Sequence, residues 1–212
     1  MKLISTKFDN VYLIEESVFD DNRGYFMETW NELNYSNKKL LSDVPSLMAI
    51  QNDNSLFSTL FVQDNMSISK RYVFRGLHYQ TGNFGQAKLL RVLKGSAIDF
   101  IVDLREDSKT YGKFDFFELN DRNKMSLFIP SYFAHGFLSL EDDTIFTYKC
   151  GNYYDKKSEG SVNYSDPVIR NVQNNKDTIL DVIRTYIPYE SESDLIMSEK
   201  DRQSPKFLHR KT

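Results

Sequence analysis

Through the middle of the chain, apolar and polar residues alternate with a period of two, the spacing of strands that bury one face. Lys88 to Leu93 is a short apolar run, Lys94-Gly95 a turn, and Ala97 to Leu104 resumes with Ile98, Phe100 and Val102 alternating. Asp115 to Leu119 and Ser126 to Ile129 flank the turn-like Asn120-Asp121-Arg122-Asn123. Phe137 to Leu140 and Thr144 to Lys149 flank Glu141-Asp142-Asp143, as in a hairpin. Short strands at close spacing with polar turns predict an all-β antiparallel sandwich or barrel, a β-barrel or jelly roll. Helical patterning is confined to the edges. Asn31 to Leu41 fits a helix, and Asp177 to Thr185 carries a short apolar stripe (Ile179, Val182, Ile183) behind an Asn-rich entry. Ser42 to Leu60 is polar and mixed, and reads as loop or an extra strand. With no repeat and no dividing linker, residues 1–212 are expected to form a single domain.

Composition supports the strand reading, because aromatics reach 14%, with 16 Phe and 13 Tyr, a mix suited to pleated, half-buried surfaces. A net charge of −3 offers no basic field for a polyphosphate polymer, so nucleic acid is not an expected partner. A small phosphorylated ligand needs only a few local Arg and Lys side chains. The single cysteine, Cys150, excludes an internal disulfide framework and suits a reducing compartment. Met1 to Glu15 lacks the apolar block of a signal peptide, and no segment approaches the roughly 20 apolar residues of a membrane span. A cytoplasmic protein without membrane partners is the expectation.

Three histidines are present. His209 lies in a charged tail and is expected to be solvated. His135 follows the Pro130 turn in Ile129-Pro130-Ser131-Tyr132-Phe133-Ala134-His135-Gly136-Phe137, and His78 sits in Arg75-Gly76-Leu77-His78-Tyr79-Gln80. Arg75, three residues earlier on the same strand, is expected to help line one cavity with His78. A barrel that binds a transition metal commonly offers a His-x-His pair, but the position two after His78 is Gln80, which argues against a metal site. Metal-free proton transfer is the better fit. A carbon beside a ketone can be inverted by removing its proton from one face and returning one to the other, which needs a base, an opposed acid and a cation near the enolate. Imidazole, with an unperturbed pKa of about 6.5, is suited to be the base, and a carboxylate behind it fixes its tautomer. Tyrosine can act as the acid and lysine can hold the enolate oxygen, but spacing does not choose among thirteen tyrosines.

Several runs together resemble the dTDP-4-dehydrorhamnose 3,5-epimerase family. They are Arg75-Gly76-Leu77-His78-Tyr79-Gln80, then Gln86-Ala87-Lys88-Leu89-Leu90-Arg91-Val92 and Gly95, then Val102-Asp103-Leu104-Arg105 with Ser108 and Thr110-Tyr111-Gly112. Ile129-Pro130, Phe133-Ala134-His135-Gly136-Phe137, Tyr148-Lys149, Tyr153-Tyr154 and Ser198-Glu199-Lys200-Asp201 continue the match in order. The resemblance implies a cupin-type double-stranded β-helix (jelly roll) with a few short peripheral helices, a homodimer, and no metal or redox cofactor. It implies epimerisation of a nucleotide-linked 4-keto-6-deoxy sugar at C3 and C5, in deoxysugar (rhamnose-like) and cell-surface polysaccharide biosynthesis. By motif, His78 resembles the catalytic base, Asp201 its carboxylate partner, Tyr148 the proton donor and Lys88 the lysine facing the ketone. Arg75 and His135 match substrate contacts. Arg23 and Glu28, Gln63-Asp64-Asn65, Glu159 and Lys200 match nucleotide-sugar binders, and Phe26 is expected to reach the neighbouring subunit's nucleotide.

Each assignment has a plainer reading: Arg23-Gly24 a turn, Gln63-Asp64-Asn65 a hydrogen-bonded loop, Tyr148 a core aromatic, Lys88 a rim side chain, Asp201 a turn cap before Pro205. Two stretches depart from the family pattern, Asn34 to Phe61 by length and Asn171 to Asp194 by content, and Tyr164 stands where Trp is expected before Ser165-Asp166-Pro167. Rival functions are a single-site C3 or C5 epimerase, a metal-dependent isomerase on the same barrel, a non-catalytic sugar-nucleotide binding module, and a structural dimerisation domain.

Overall fold

The computed structural model describes residues 1–31, 61–188 and 195–210. Two six-stranded sheets dominate it. The first has the order β1 (Lys2–Ser5), β2 (Tyr12–Glu15), β10 (Ser126–Ile129), β7 (Lys88–Lys94), β12 (Thr144–Cys150) and β5 (Gln63–Ser69). The second runs β13 (Glu159–Ser161), β6 (Phe74–Gln80), β11 (Phe133–Ser139), β8 (Ser96–Asp103), β9 (Lys113–Asn120) and β14 (Arg170–Asn171). A separate hairpin joins β3 (Val18–Asp21) to β4 (Gly24–Met27). Among the described residues the named strands pair antiparallel except for β14 on β9, and an isolated parallel bridge joins Val73 to Ile196. This is the jelly roll that the strand spacing predicts.

Leu90, Val92, Leu127 and Phe146 of the first sheet meet Ala97, Ile101, Leu119, Phe133 and Phe137 of the second in the layer between them. Phe137 stacks on Phe146 with ring centres 4.2 Å apart, a pairing that contributes about 0.5–1.5 kcal/mol beyond simple burial. The second sheet is covered on its other face too. There Phe74, Leu77, Phe100 and Phe114 pack against Phe207 and the apolar stripe of helix α1 (Ile179–Tyr186). Double coverage explains why every residue of β8 and β11 is buried. It also explains why β11 begins at Phe133, four residues before the expected start. A strand buried on both faces reads as a continuous apolar run, so alternation cannot mark its beginning.

The helix expected over Asp177 to Thr185 is present over Ile179–Tyr186. Its entry is fixed by a capping box, in which Thr178 Oγ1 accepts from Asp181 N–H and Asp181 Oδ2 accepts from Thr178 N–H. The helix expected at Asn31 to Leu41 lies outside the described residues apart from Asn31, as does the loop or strand expected at Ser42 to Leu60. Gln63-Asp64-Asn65 begins a regular edge strand, not a loop.

Candidate active site

His78 and His135 stand directly opposite one another on β6 and β11. Arg75 shares their cavity, although a spacing of three should turn two strand residues to opposite faces. The register resolves this. His78 pairs with His135 but Arg75 pairs with Phe137, so β6 fits one extra residue into the ladder. Glycines make the bulge possible. A Cβ on Gly76 would lie 2.6 Å from Gly136 Cα, and one on Gly136 would lie 2.5 Å from the Arg75 carbonyl oxygen. The shared cavity follows from this irregularity, not from the alternation expected of the sequence.

The cavity, of about 500 Å³, opens between the sheets, with His78, Arg75 and His135 on one wall and Lys88, Tyr148 and Ser67 on the other. A single-turn helix, α2 (Glu199–Arg202), adds Lys200 and Asp201. Ser198 caps it, its hydroxyl accepting from Asp201 N–H at 3.1 Å. Asp201 Oδ1 lies 2.6 Å from His78 Nε2. Burial pushes the Asp201 carboxyl up, but hydrogen bonds from His78, Ser198 and the Gly76 N–H, with the charge of the imidazole, outweigh it and hold the group below the ordinary carboxylate range. An ionised carboxylate only accepts hydrogen bonds, so His78 Nε2 carries the hydrogen and Nδ1 is the basic nitrogen.

A second pair sits deeper. His135 Nε2 is 2.7 Å from Asp99 Oδ2, and Asp99 is wholly buried. Burial, then the charges of Lys88 and His78, push His135 well below 6.5, so this imidazole is neutral. Burial likewise raises the Asp99 carboxyl, against the pull of Lys88. Asp99 is a site residue that sequence reasoning missed. Ile98, Phe100 and Val102 look like the core face of β8, which leaves Asp99 apparently facing solvent. Apolar Ala97 and Ile101 on its own face were the available signal, since that face packs between the sheets.

Lys88 is buried at the start of β7, its ammonium 5.9 Å from the centre of the Tyr148 ring. Burial lowers the lysine's pKa, and Cys150, Asp99 and Glu159 partly restore it. Tyr148 goes the other way: burial and Cys150 raise its phenol against the pull of Arg75, which keeps it protonated. Glu159 on β13 accepts from Lys200 Nζ at 2.7 Å and from the Tyr154 hydroxyl at 3.2 Å. Tyr154, the second residue of the Tyr153-Tyr154 motif, has an exposed ring. Its N–H bonds Gln63 Oε1, which places it at the rim.

Not every expected residue converges. Gln63 and Asn65 share a face of β5, and Asn65 Nδ2 donates to the Cys150 sulfur. Asp64 turns to the opposite face and pairs with Lys149 at 2.6 Å, so it does not join them. Arg23, Phe26 and Glu28 belong to the β3–β4 hairpin and its exit and do not line the cavity. Arg23 is held by Asp21 on the hairpin itself, and Phe26 is 69% exposed. His209 is exposed, as its charged surroundings suggest.

A jelly roll that sets an imidazole against a phenol across one cavity is the framework of an isomerase acting on a carbon acid. The family model described as dTDP-4-dehydrorhamnose 3,5-epimerase matches residues 5–209. The chain is 41% identical over 201 residues to a dTDP-4-dehydrorhamnose 3,5-epimerase of Methanothermobacter thermautotrophicus, covering 95% of this chain and 91% of that protein. The Escherichia coli protein of the same name is 34% identical, with 96% and 92% covered. Among solved structures, the dTDP-4-dehydrorhamnose 3,5-epimerase of Elizabethkingia anophelis superposes with a TM-score of 0.76 at 40% identity, covering 98% of this chain and 97% of that one. A dTDP-6-deoxy-D-glucose-3,5-epimerase of Legionella pneumophila, in complex with dTDP-4-keto-L-rhamnose, gives 0.75 at 32% identity, with 98% and 93% covered. The chain belongs to the dTDP-4-dehydrorhamnose 3,5-epimerase family.

Proposed function

We propose that this protein is an isomerase that epimerises C3 and C5 of a dTDP-linked 4-keto-6-deoxy sugar, in deoxysugar biosynthesis. One observation carries the reaction: His78 and Tyr148 stand on opposite sheets across a single cavity, with Lys88 beside Tyr148. The C4 ketone acidifies the hydrogens on C3 and C5. His78 takes one of them at Nδ1, and the electron pair moves through the C–C bond to the ketone oxygen. The Lys88 ammonium stabilises that oxyanion in a setting with little water. The imidazolium formed is stabilised by Asp201, while Tyr148 returns a proton to the opposite face of the carbon and inverts it. A binding role for His135 and Arg75 follows from their place on the wall around His78. Gln63, Asn65, Glu159, Lys200 and the flat Tyr154 ring at the rim suit the nucleotide.

The β3–β4 hairpin carries three large exposed aromatics, Phe19, Tyr25 and Phe26. Such a patch suits contact with a second copy of the chain. In a homodimer, Arg23, Phe26 and Glu28 would complete the partner's site; analytical ultracentrifugation checks this, and a monomer at working concentration contradicts it. The reading includes no metal or redox cofactor, so a chelator is expected to leave activity unchanged. Among the described residues no helix is long and apolar enough to cross a membrane, and the proposed location is the cytoplasm, where the free thiol of Cys150 stays reduced.

The reaction is tested by incubating the protein with the dTDP-linked 4-keto sugar and following stereochemistry at each carbon. A non-catalytic binding module would bind the nucleotide and leave every carbon-bound hydrogen in place.

A further inference from the structure

β13 lies antiparallel to β6, with Ser161 opposite His78 and Glu159 opposite Gln80. Residues two apart on a strand share a face, so Glu159 is a diagonal neighbour of His78, at about 7 Å in ordinary sheet geometry. This second carboxylate beside the base is covered by Lys200, whose own side chain is 59% exposed. An ion pair with an exposed partner is weak and easily exchanged. Lys200 and Asp201 are consecutive residues of α2, so the cation that covers Glu159 and the anion that supports His78 share one turn of helix.

We propose that Glu159 is a positioning residue acting electrostatically on His78, silenced by Lys200 until the diphosphate of a bound nucleotide-sugar draws that lysine away, so that substrate binding strengthens the base. The inference rests on the proposed epimerase reaction and deepens it. Around His78 stand Asp201 and Lys200 from α2, Glu159 from β13, His135 from β11, Lys88 from β7, Tyr148 from β12 and Arg75 on its own strand. His135 is neutral and Asp201 is anionic in the unliganded protein. Lys88 and Arg75 oppose a proton on His78 in both states. Moving Lys200 toward phosphate takes one cation away from beside Glu159 and leaves that carboxylate uncompensated, a change of one charge that favours the imidazolium. Glu159 is within electrostatic reach of His78: burial raises its carboxyl, but Lys200, Tyr154 and His78 together bring it below its ordinary value.

The test compares pH profiles of kcat/KM, which reports the free enzyme, and of kcat, which reports the complex. In the wild type, the acid limb of kcat is expected at higher pH than that of kcat/KM. One charge at about 7 Å behind partial solvent screening supplies about half a pH unit of this gap. Glu159→Gln should narrow the gap to whatever the diphosphate alone contributes. Lys200→Gln, with Glu159 permanently uncovered, should raise the acid limb of kcat/KM toward that of kcat, in addition to raising KM. If Glu159→Gln changes KM alone and leaves both limbs in place, Glu159 only binds ligand and the inference is wrong. Should the wild type turn over no nucleotide-linked 4-keto sugar, the reaction reading fails separately. The ring-proton resonance of His78, one of only three histidines, is then titrated in the wild type and both variants with and without dTDP. A Lys200→Gln titration that matches the unliganded wild type overturns the inference by that route, and one displaced to higher pH supports it.

Discussion

The two histidine–aspartate pairs have nearly the same geometry, 2.6 Å for His78–Asp201 and 2.7 Å for His135–Asp99, but the surroundings give them opposite character. The His78 side chain is 33% exposed and its carboxylate comes from a separate helix with its own cap. His135 is 9% exposed and its carboxyl comes from the centre of a sheet buried on both faces. Burial and the Lys88 charge keep the inner imidazole neutral, and burial raises its carboxyl partner against the pull of Lys88, whereas hydrogen bonds to Asp201 keep the outer carboxylate ionised. Residue type and spacing alone therefore do not set a proton-transfer role. What sets it is which carboxylate can remain charged, and that depends on hydrogen-bond donors and access to water.

Substitutions can sharpen this contrast. On the proposed reaction His78→Ala should lower turnover by about 10²–10⁴-fold while dTDP binding, followed by calorimetry, persists. Unharmed turnover would move the base elsewhere. Asp201→Asn should be next, lowering turnover less than loss of His78, because the imidazole remains but loses the anion that stabilises its protonated form. Tyr148→Phe should separate two steps, leaving exchange of carbon-bound hydrogen with solvent measurable while inversion falls further. Equal loss of both would place Tyr148 in abstraction as well as return.

The smallest expected effect is on stability. Asp201 titrates below its unfolded value, so its contribution is fully present above about pH 4 and is lost as pH falls through the folded value. Thermal melts should show Asp201→Asn losing less stability than wild type across that acid window. A parallel loss in both would mean that other carboxylates, such as Asp103 with its bonds from Arg105, Ser108 and Thr110, dominate acid unfolding.

Much of the sheet architecture was legible because its strands alternate or are short apolar runs between polar turns, and Ser126–Ile129 is found at the expected bounds. Helix α1 could be placed from its stripe of Ile179, Val182 and Ile183, although Thr178 and Asp181 decide where it starts. The site was legible in a different way. His78 and Asp201 are 123 residues apart, a contact that no local pattern reveals, and only the family motif linked them. Arg75 reached the expected cavity through a bulge that the strand period does not encode. Asp64 shows the opposite failure: the motif groups it with Gln63 and Asn65, but strand alternation sends it to Lys149 on the other face. Asp99 was overlooked because a carboxylate between apolar neighbours on a strand ordinarily signals solvent, not the space between two sheets.

The central claim is proton transfer across one cavity from two walls, and proton NMR of the dTDP-linked 4-keto sugar incubated with the protein in deuterated water tests it most directly. The account predicts deuterium at both C3 and C5 with inversion at each. Deuterium at one carbon alone would make this a single-site epimerase, and no incorporation at either carbon would contradict the proposed chemistry outright.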